Sequence, residues 1–154
     1  MRSKLQRLDP SPSGQLLSPL NGTLPAALRL IEKPDADTVV KHYLRPARVW
    51  STVTPVLRPG FDDRDADKAL GLMRKAFVQA GFAPELVARA GFEWRAGGFR
   101  AGVEHVKRFT PPDNLKAFPA FHVRVTWPVP VPGPIAVGAG RYRGFGVFVA
   151  APQG

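Results

Sequence analysis

Arg141, Tyr142 and Arg143 stand between two Gly-x-Gly pairs, Gly138-Ala-Gly140 and Gly144-Phe-Gly146, and an apolar run to Val149 follows. Glycine admits positive φ and lets a ligand's backbone come close, so this stretch is suited to wrapping another chain. The cations at its centre make an anionic ligand the expected one. Arg141 and Arg143 are the phosphate contacts, and Tyr142 stacks on a base, orients a phosphate, or simply packs. The spacing is neither the Gly-x-Gly-x-x-Gly that opens a long helix nor a Gly-Lys-Ser/Thr phosphate loop. A glycine hairpin that only turns the chain is the alternative.

Histidine is the side chain best suited to general acid or base work near neutral pH. The segment Phe121-His-Val-Arg-Val-Thr-Trp127 alternates strictly. Phe121, Val123, Val125 and Trp127 share one face, while His122, Arg124 and Thr126 share the other. Helices packed on the first face would leave His122 and Arg124 on an open surface. His122 is therefore the first catalytic candidate, with a structural cross-strand hydrogen bond as its alternative. His105 is second, because Lys107 and Arg108 flank it, and His42 is third. The three histidines lack metal-ligand spacing and the chain has no cysteine, so neither a metal nor any other cofactor is expected.

A formal net charge of +10 on 154 residues predicts attraction to polyanions, with nucleic acid as the default partner. No stretch reaches the length of a membrane span, and residues 1–8 lack the apolar core of a signal peptide. A cytoplasmic protein with no membrane partner is the expectation.

The elements that must hold these residues follow from local pattern. Residues 1–46 read as an extended arm or linker, with turn chemistry in its first part, a possible helical turn over 26–31 and a short helix over 36–44 stopped by Arg45-Pro46. Residues 47–151 read as the folded domain. Ala47 to Pro55 is a β-branched strand. Ala66, Ala69, Leu70, Met73, Phe77 and Ala80 follow helical spacing, with aspartates crowding the N-terminal end and Gly81 at the C′ position. Leu86 to Arg95 reads as a strand. Residues 96–120 form a long basic loop carrying Arg100, His105, Lys107, Arg108 and Lys116, with Phe99, Phe109 and Phe118 interleaved. Those rings either stack on bases or pin the loop to the core. After the strand at 121–127, prolines leave room for a very short second helix before the glycine loop and a last strand, Gly144 to Ala150. The whole is an α+β, ferredoxin-like (RRM-like) βαββαβ sheet with one long helix and a truncated second one.

Val49-Trp-Ser-Thr-Val-Thr-Pro-Val56, Phe118-Pro-Ala-Phe-His-Val-Arg-Val125 and Gly133-Pro-Ile-Ala-Val-Gly-Ala-Gly-Arg-Tyr-Arg-Gly-Phe-Gly-Val-Phe148 together resemble the C-terminal part of the RAMP-superfamily CRISPR subunit of type I-G (formerly I-U) systems. The resemblance implies a ferredoxin-like fold whose glycine loop grips guide RNA, and a subunit that cuts CRISPR repeats and stays with the other subunits of a type I effector complex. It places Gly138, Gly140, Arg141, Arg143, Gly144 and Gly146 on the RNA, with Arg100, Lys107, Arg108 and Arg124 beside them. Cleavage of this kind uses the 2′-hydroxyl next to the scissile phosphate, without a metal, and needs a base, an acid and cations. His122, His105 and Tyr142 would carry it. In that family the subunit fuses two modules, of which this chain matches the repeat-endoribonuclease-like one. A split gene, a fragment or internal translation product, and a role in holding the guide without cutting it all remain open readings.

Overall fold

A computed structural model describes residues 15–17, 26–28 and 39–152. The chain divides into two units, 1–37 and 38–154. In the first, β1 (Gln15–Leu17) pairs antiparallel with β2 (Ala26–Leu28). Ala26 to Leu28 is thus strand where a helical turn was expected, because it has an antiparallel partner that local pattern did not reveal. The rest of the segment expected as arm, up to residue 38, lies outside the described residues.

The second unit opens with α1 (Val40–Leu44), then β3 (Ala47–Thr52) and β4 (Val56–Leu57). Next come α2 (Ala66–Gln79), α3 (Pro84–Ala88), β5 (Gly91–Arg95), β6 (Ala120–Val131) and β7 (Phe148–Ala150). β6 is the spine. β5 pairs along one side of it from Gly91↔Thr126 to Arg95↔His122, and β3 along the other through Trp50↔Val125 and Ser51↔Arg124. β7 then adds outside β3, and β4 continues past β3 against Ala120 and Phe121. All these pairings are antiparallel. The order β5-β6-β3-β7 with α2 crossing from β3 to β5 is the ferredoxin-like arrangement expected from the sequence. Where the second helix of that pattern would stand, residues 132–147 hold only the 3-10 turn Arg141–Arg143.

The long helix is built as its sequence dictates. The Asp65 carboxylate accepts the backbone N–H groups of Asp67 and Lys68, capping the start. At the end, Gly81 takes φ +105° and donates to Val78, while Phe82 donates to Phe77, the paired closure of a glycine-terminated helix. The Phe82 ring, 5.8 Å from that of Phe77, adds the apolar contact that accompanies it. Phe77 is the hub of the core. Its ring lies 5.0 Å from Phe92, 5.6 Å from Trp127 and 5.7 Å from Phe148, joining α2 to three strands. Trp50, Val123, Val125, Trp127 and Ala150 complete the helix-facing side of the sheet, all essentially buried.

One element differs from expectation near residue 86. Pro84 starts a short helix, its fixed φ suiting the first helical turn, so the strand begins only at Gly91.

Candidate nucleic-acid interface

The Trp50-Ser-Thr-Val-Thr-Pro55 segment joins the sheet to the glycine hairpin. Where the β3 ladder ends, the Thr52 hydroxyl accepts the Val123 N–H at 2.9 Å and the Thr54 hydroxyl accepts the Val147 N–H at 3.0 Å. Val53 donates to the Val147 carbonyl and Gly146 to that of Pro55. Side-chain oxygens thus stand in for backbone acceptors as the strand turns from β3 into β4.

The hairpin arms run from Ile135 and Val137 back to Val147 and Phe148, with Ala136 bridged to Val147. A Cβ on Gly146, which has φ +66°, would meet the Val137 carbonyl oxygen at 1.8 Å. One on Gly138, at φ +102°, would meet the Leu57 oxygen at 2.7 Å, and one on Gly140 would meet Phe145 at 2.7 Å. These three glycines are buried, and the close approach they permit is to the protein's own chain, whereas the sequence suggested a ligand's backbone. Gly144 is different: it is exposed, takes φ +80° and has open space around it.

The glycines lift a short cationic tip into solvent. Arg141 to Arg143 form a 3-10 turn closed by Arg143 N–H to the Gly140 carbonyl at 2.8 Å. Tyr142 is 84% exposed and the Arg141 guanidinium lies over its ring at 4.5 Å from the centroid. Arg143 is exposed beside it. An aromatic ring in water with a cation over one face has the chemistry that single-strand binders use for stacking beside a phosphate contact.

His122 sits elsewhere in character. Its side lies across the sheet from α2, as alternation requires, but that side is not open. The loop between β5 and β6 folds over it, and His122 is fully buried. Its Nε2–H donates to the Glu104 carbonyl at 2.8 Å, so Nδ1 accepts from the Thr52 hydroxyl at 3.0 Å. Phe109 meets the ring edge-on at 5.9 Å. Burial pushes the His122 pKa below the ordinary histidine range; the Glu104 carbonyl pulls the other way, and the nearby charges of His105 and Arg95 lower it further. In this geometry the neutral ring has both nitrogens hydrogen-bonded within the protein.

Arg124, its neighbour on that face, pairs loosely with Glu93 at 3.7 Å. Its guanidinium lies 4.6 Å from the centroid of Phe99, and that of Arg95 lies 4.3 Å from the same centroid. Phe99 therefore stacks with the protein's own cations, and Arg95 belongs with Arg124 in one cationic cluster. Sequence reasoning passed over Arg95; a strand beginning at Gly91 would have put it in register with His122 and revealed it.

Lys107 and Arg108 on the 3-10 turn Val106–Arg108, and His105 that caps its start, are exposed. His105 Nδ1 accepts the Lys107 N–H at 3.1 Å, so the neutral ring carries its proton on Nε2. Arg100 is half-buried and donates weakly to the Ala150 carbonyl at 3.4 Å. His42, on α1, has its Nδ1 buried without a hydrogen-bond partner.

Arg58 was also missed. It is 1% exposed, lies 5.1 Å from the Phe121 ring centroid and pairs with Asp62 at 2.8 Å, with Nε and Nη1 unpartnered. The pairing of β4 with β6 brings Phe121 beside it, and nothing local in the sequence signals that.

Among the described residues no helix is long and apolar enough to cross a membrane. No curated protein and no solved structure matches the chain. Residues 25–150 match the family described as CRISPR-associated protein, GSU0054 family. That match spans most of the 154 residues and takes in β3 to β7, the long basic loop and the cationic hairpin tip. The chain belongs to the GSU0054 family of CRISPR-associated proteins.

Proposed function

We propose that this chain is the guide-RNA-holding subunit of a type I effector complex, of the type I-G kind that its motifs resemble, and that it grips the repeat-derived part of the guide. The observation that carries this reading is the exposed Tyr142 ring with Arg141 over it, presented by a hairpin whose glycines are locked against β4 and Val137. A base stacks on the ring while Arg141 and Arg143 meet the flanking phosphates. Lys107, Arg108, Arg124 and Arg100 supply further positive charge from the long loop and the sheet. Docking on neighbouring subunits of the complex is part of the same proposal.

The salt dependence of single-stranded repeat RNA binding tests it. Each phosphate contact contributes a log-log slope of about −0.7, so Arg141→Ala with Arg143→Ala should flatten the slope by about 1.4. A double variant that stays folded and keeps the wild-type slope removes the hairpin tip from the RNA site.

Cleavage of the repeat by 2′-hydroxyl attack is the second reading. One observation favours it: His105 is exposed beside Lys107 and Arg108, an imidazole with cations suited to a phosphorane. Two features weigh for holding over cutting. His122 has both ring nitrogens engaged inside the protein, and His105 spends Nδ1 on the backbone.

A further inference from the structure

A cavity of about 450 Å³ lies on the face of the sheet opposite α2, between α1 and the loop that covers His122. Its walls include His42 and Tyr43 of α1, Arg100 and Ala101 of the loop, Phe109, and Val149 of β7. That volume is in the range of about 300–1,000 Å³ typical of small-molecule sites, far above what one water or ion needs.

The lining has a particular chemistry. Tyr43 and Phe109 offer aromatic surface, and Phe109 is fixed from behind by its edge-on contact with the buried His122 ring. Val149, 3% exposed, adds an apolar floor. The polar lining is His42, Glu104 and Arg100; Arg100 makes one long bond to the Ala150 carbonyl, and the unpartnered Nδ1 of His42 is closed to solvent, leaving Nε2 as the ring's outward edge. A planar ring carrying donors and acceptors, with an anionic group next to it, satisfies these together: the ring against the aromatic side chains, an edge atom on His42, and the anion on the guanidinium of Arg100.

The geometry points to a pocket for a single unstacked nucleobase with its phosphate, formed by Tyr43, Phe109, His42 and Arg100. Recognition of single strands commonly splays out one base, stacks it on an aromatic side chain and reads its edge by hydrogen bonds. The inference deepens the RNA-holding reading and rests on it for the source of the base, since a free nucleotide has the same chemistry. The pocket adjoins the root of the hairpin, because Val53 in its wall donates to Val147. A strand leaving the Tyr142 platform has a second seat, open to solvent on one side, on the same unit.

Full-length protein is bound to single-stranded repeat RNA carrying 5-iodouridine or 5-iodocytidine, irradiated, and the crosslinked residues are identified by mass spectrometry. In parallel, AMP, GMP, CMP and UMP are titrated by amide chemical-shift perturbation. Crosslinks to Tyr43 or Phe109 are expected. Ala101→Trp, at an exposed position that fills the cavity without touching the core, should abolish them and weaken RNA binding about tenfold, the effect of losing one stacked base. His42→Ala should weaken binding with the salt slope unchanged. RNA that binds with wild-type affinity to Ala101→Trp and crosslinks only at Tyr142 overturns the pocket and leaves the hairpin reading standing. No RNA binding at all, with monophosphate shifts that Ala101→Trp removes, sinks the RNA-holding reading and assigns the pocket to a free nucleotide. Shifts with neither RNA nor monophosphates overturn both.

Discussion

The Thr52 hydroxyl and His122 Nδ1 lie 3.0 Å apart inside a continuous relay that starts at the Val123 N–H and ends at the Glu104 carbonyl. Each donor has one acceptor along the way, so the relay is complete only while the ring is neutral. A second ring proton would turn Nδ1 into a donor facing the Thr52 hydroxyl and displace its hydrogen.

This fixes the sign of a pH dependence. The folded His122 pKa is depressed below 6.5, so the unfolded chain takes up the proton first. The stability contributed by the neutral ring is present above about pH 6.5 and is lost as pH falls through the folded value. Urea titrations between neutral and acid pH should show that loss, and His122→Gln should flatten it. Thr52→Val should cost about 1–3 kcal/mol for each of the two buried groups it strands, while Thr52→Ser, which keeps the hydroxyl, should cost far less.

The hairpin glycines separate by what surrounds them. Gly146→Ala pushes a Cβ into the Val137 carbonyl at positive φ and should cost more than about 4 kcal/mol or prevent folding. Gly144→Ala meets no atom and should cost about 1–2 kcal/mol from its left-handed backbone alone. Thermal melts of the two variants check the contrast.

Asp62 holds the buried Arg58 and also accepts the Arg64 N–H at 3.0 Å, and these bonds lower its pKa, the Arg64 N–H first and the Arg58 guanidinium next. Asp62→Ala should therefore destabilise the fold clearly more than Asp63→Ala, whose carboxylate only meets the exposed Lys68. Arg58→Met combined with Asp62→Leu removes both charges and should cost less than Asp62→Ala alone, because replacing a buried ion pair by apolar volume is often near neutral. Denaturant midpoints of the three variants rank them.

Cleavage has a direct assay: labelled repeat RNA, single turnover, in EDTA. A cut at one position that His105→Ala abolishes while RNA affinity holds establishes the enzyme. Binding without a cut by the wild-type protein establishes the holding role.

Local chemistry made much of this fold legible. Helix α2 announced itself through period, aspartate cap and closing glycine, all within one segment, and β6 through alternation. What alternation could not show was the cover on its second face. His122 and Arg124 share that side, yet one is sealed in and the other half-exposed, because the loop of residues 96–119 crosses over His122. The glycine stretch stands out in the sequence, but the reason for its glycines lies in β4 and Val137, contacts set by pairing between distant parts of the chain. The helix at Pro84 was hidden because five residues carry too little period to outweigh a neighbouring strand pattern.

The turn bearing Tyr142 is held by three backbone hydrogen bonds, in which Arg141 donates to Gly138 and both Arg143 and Phe145 donate to Gly140. Its shape is settled when the domain folds, so little ordering entropy is left to be lost at the encounter. On the RNA-holding proposal the bending falls to the partner strand, with the tip as a mould to which the incoming polymer conforms.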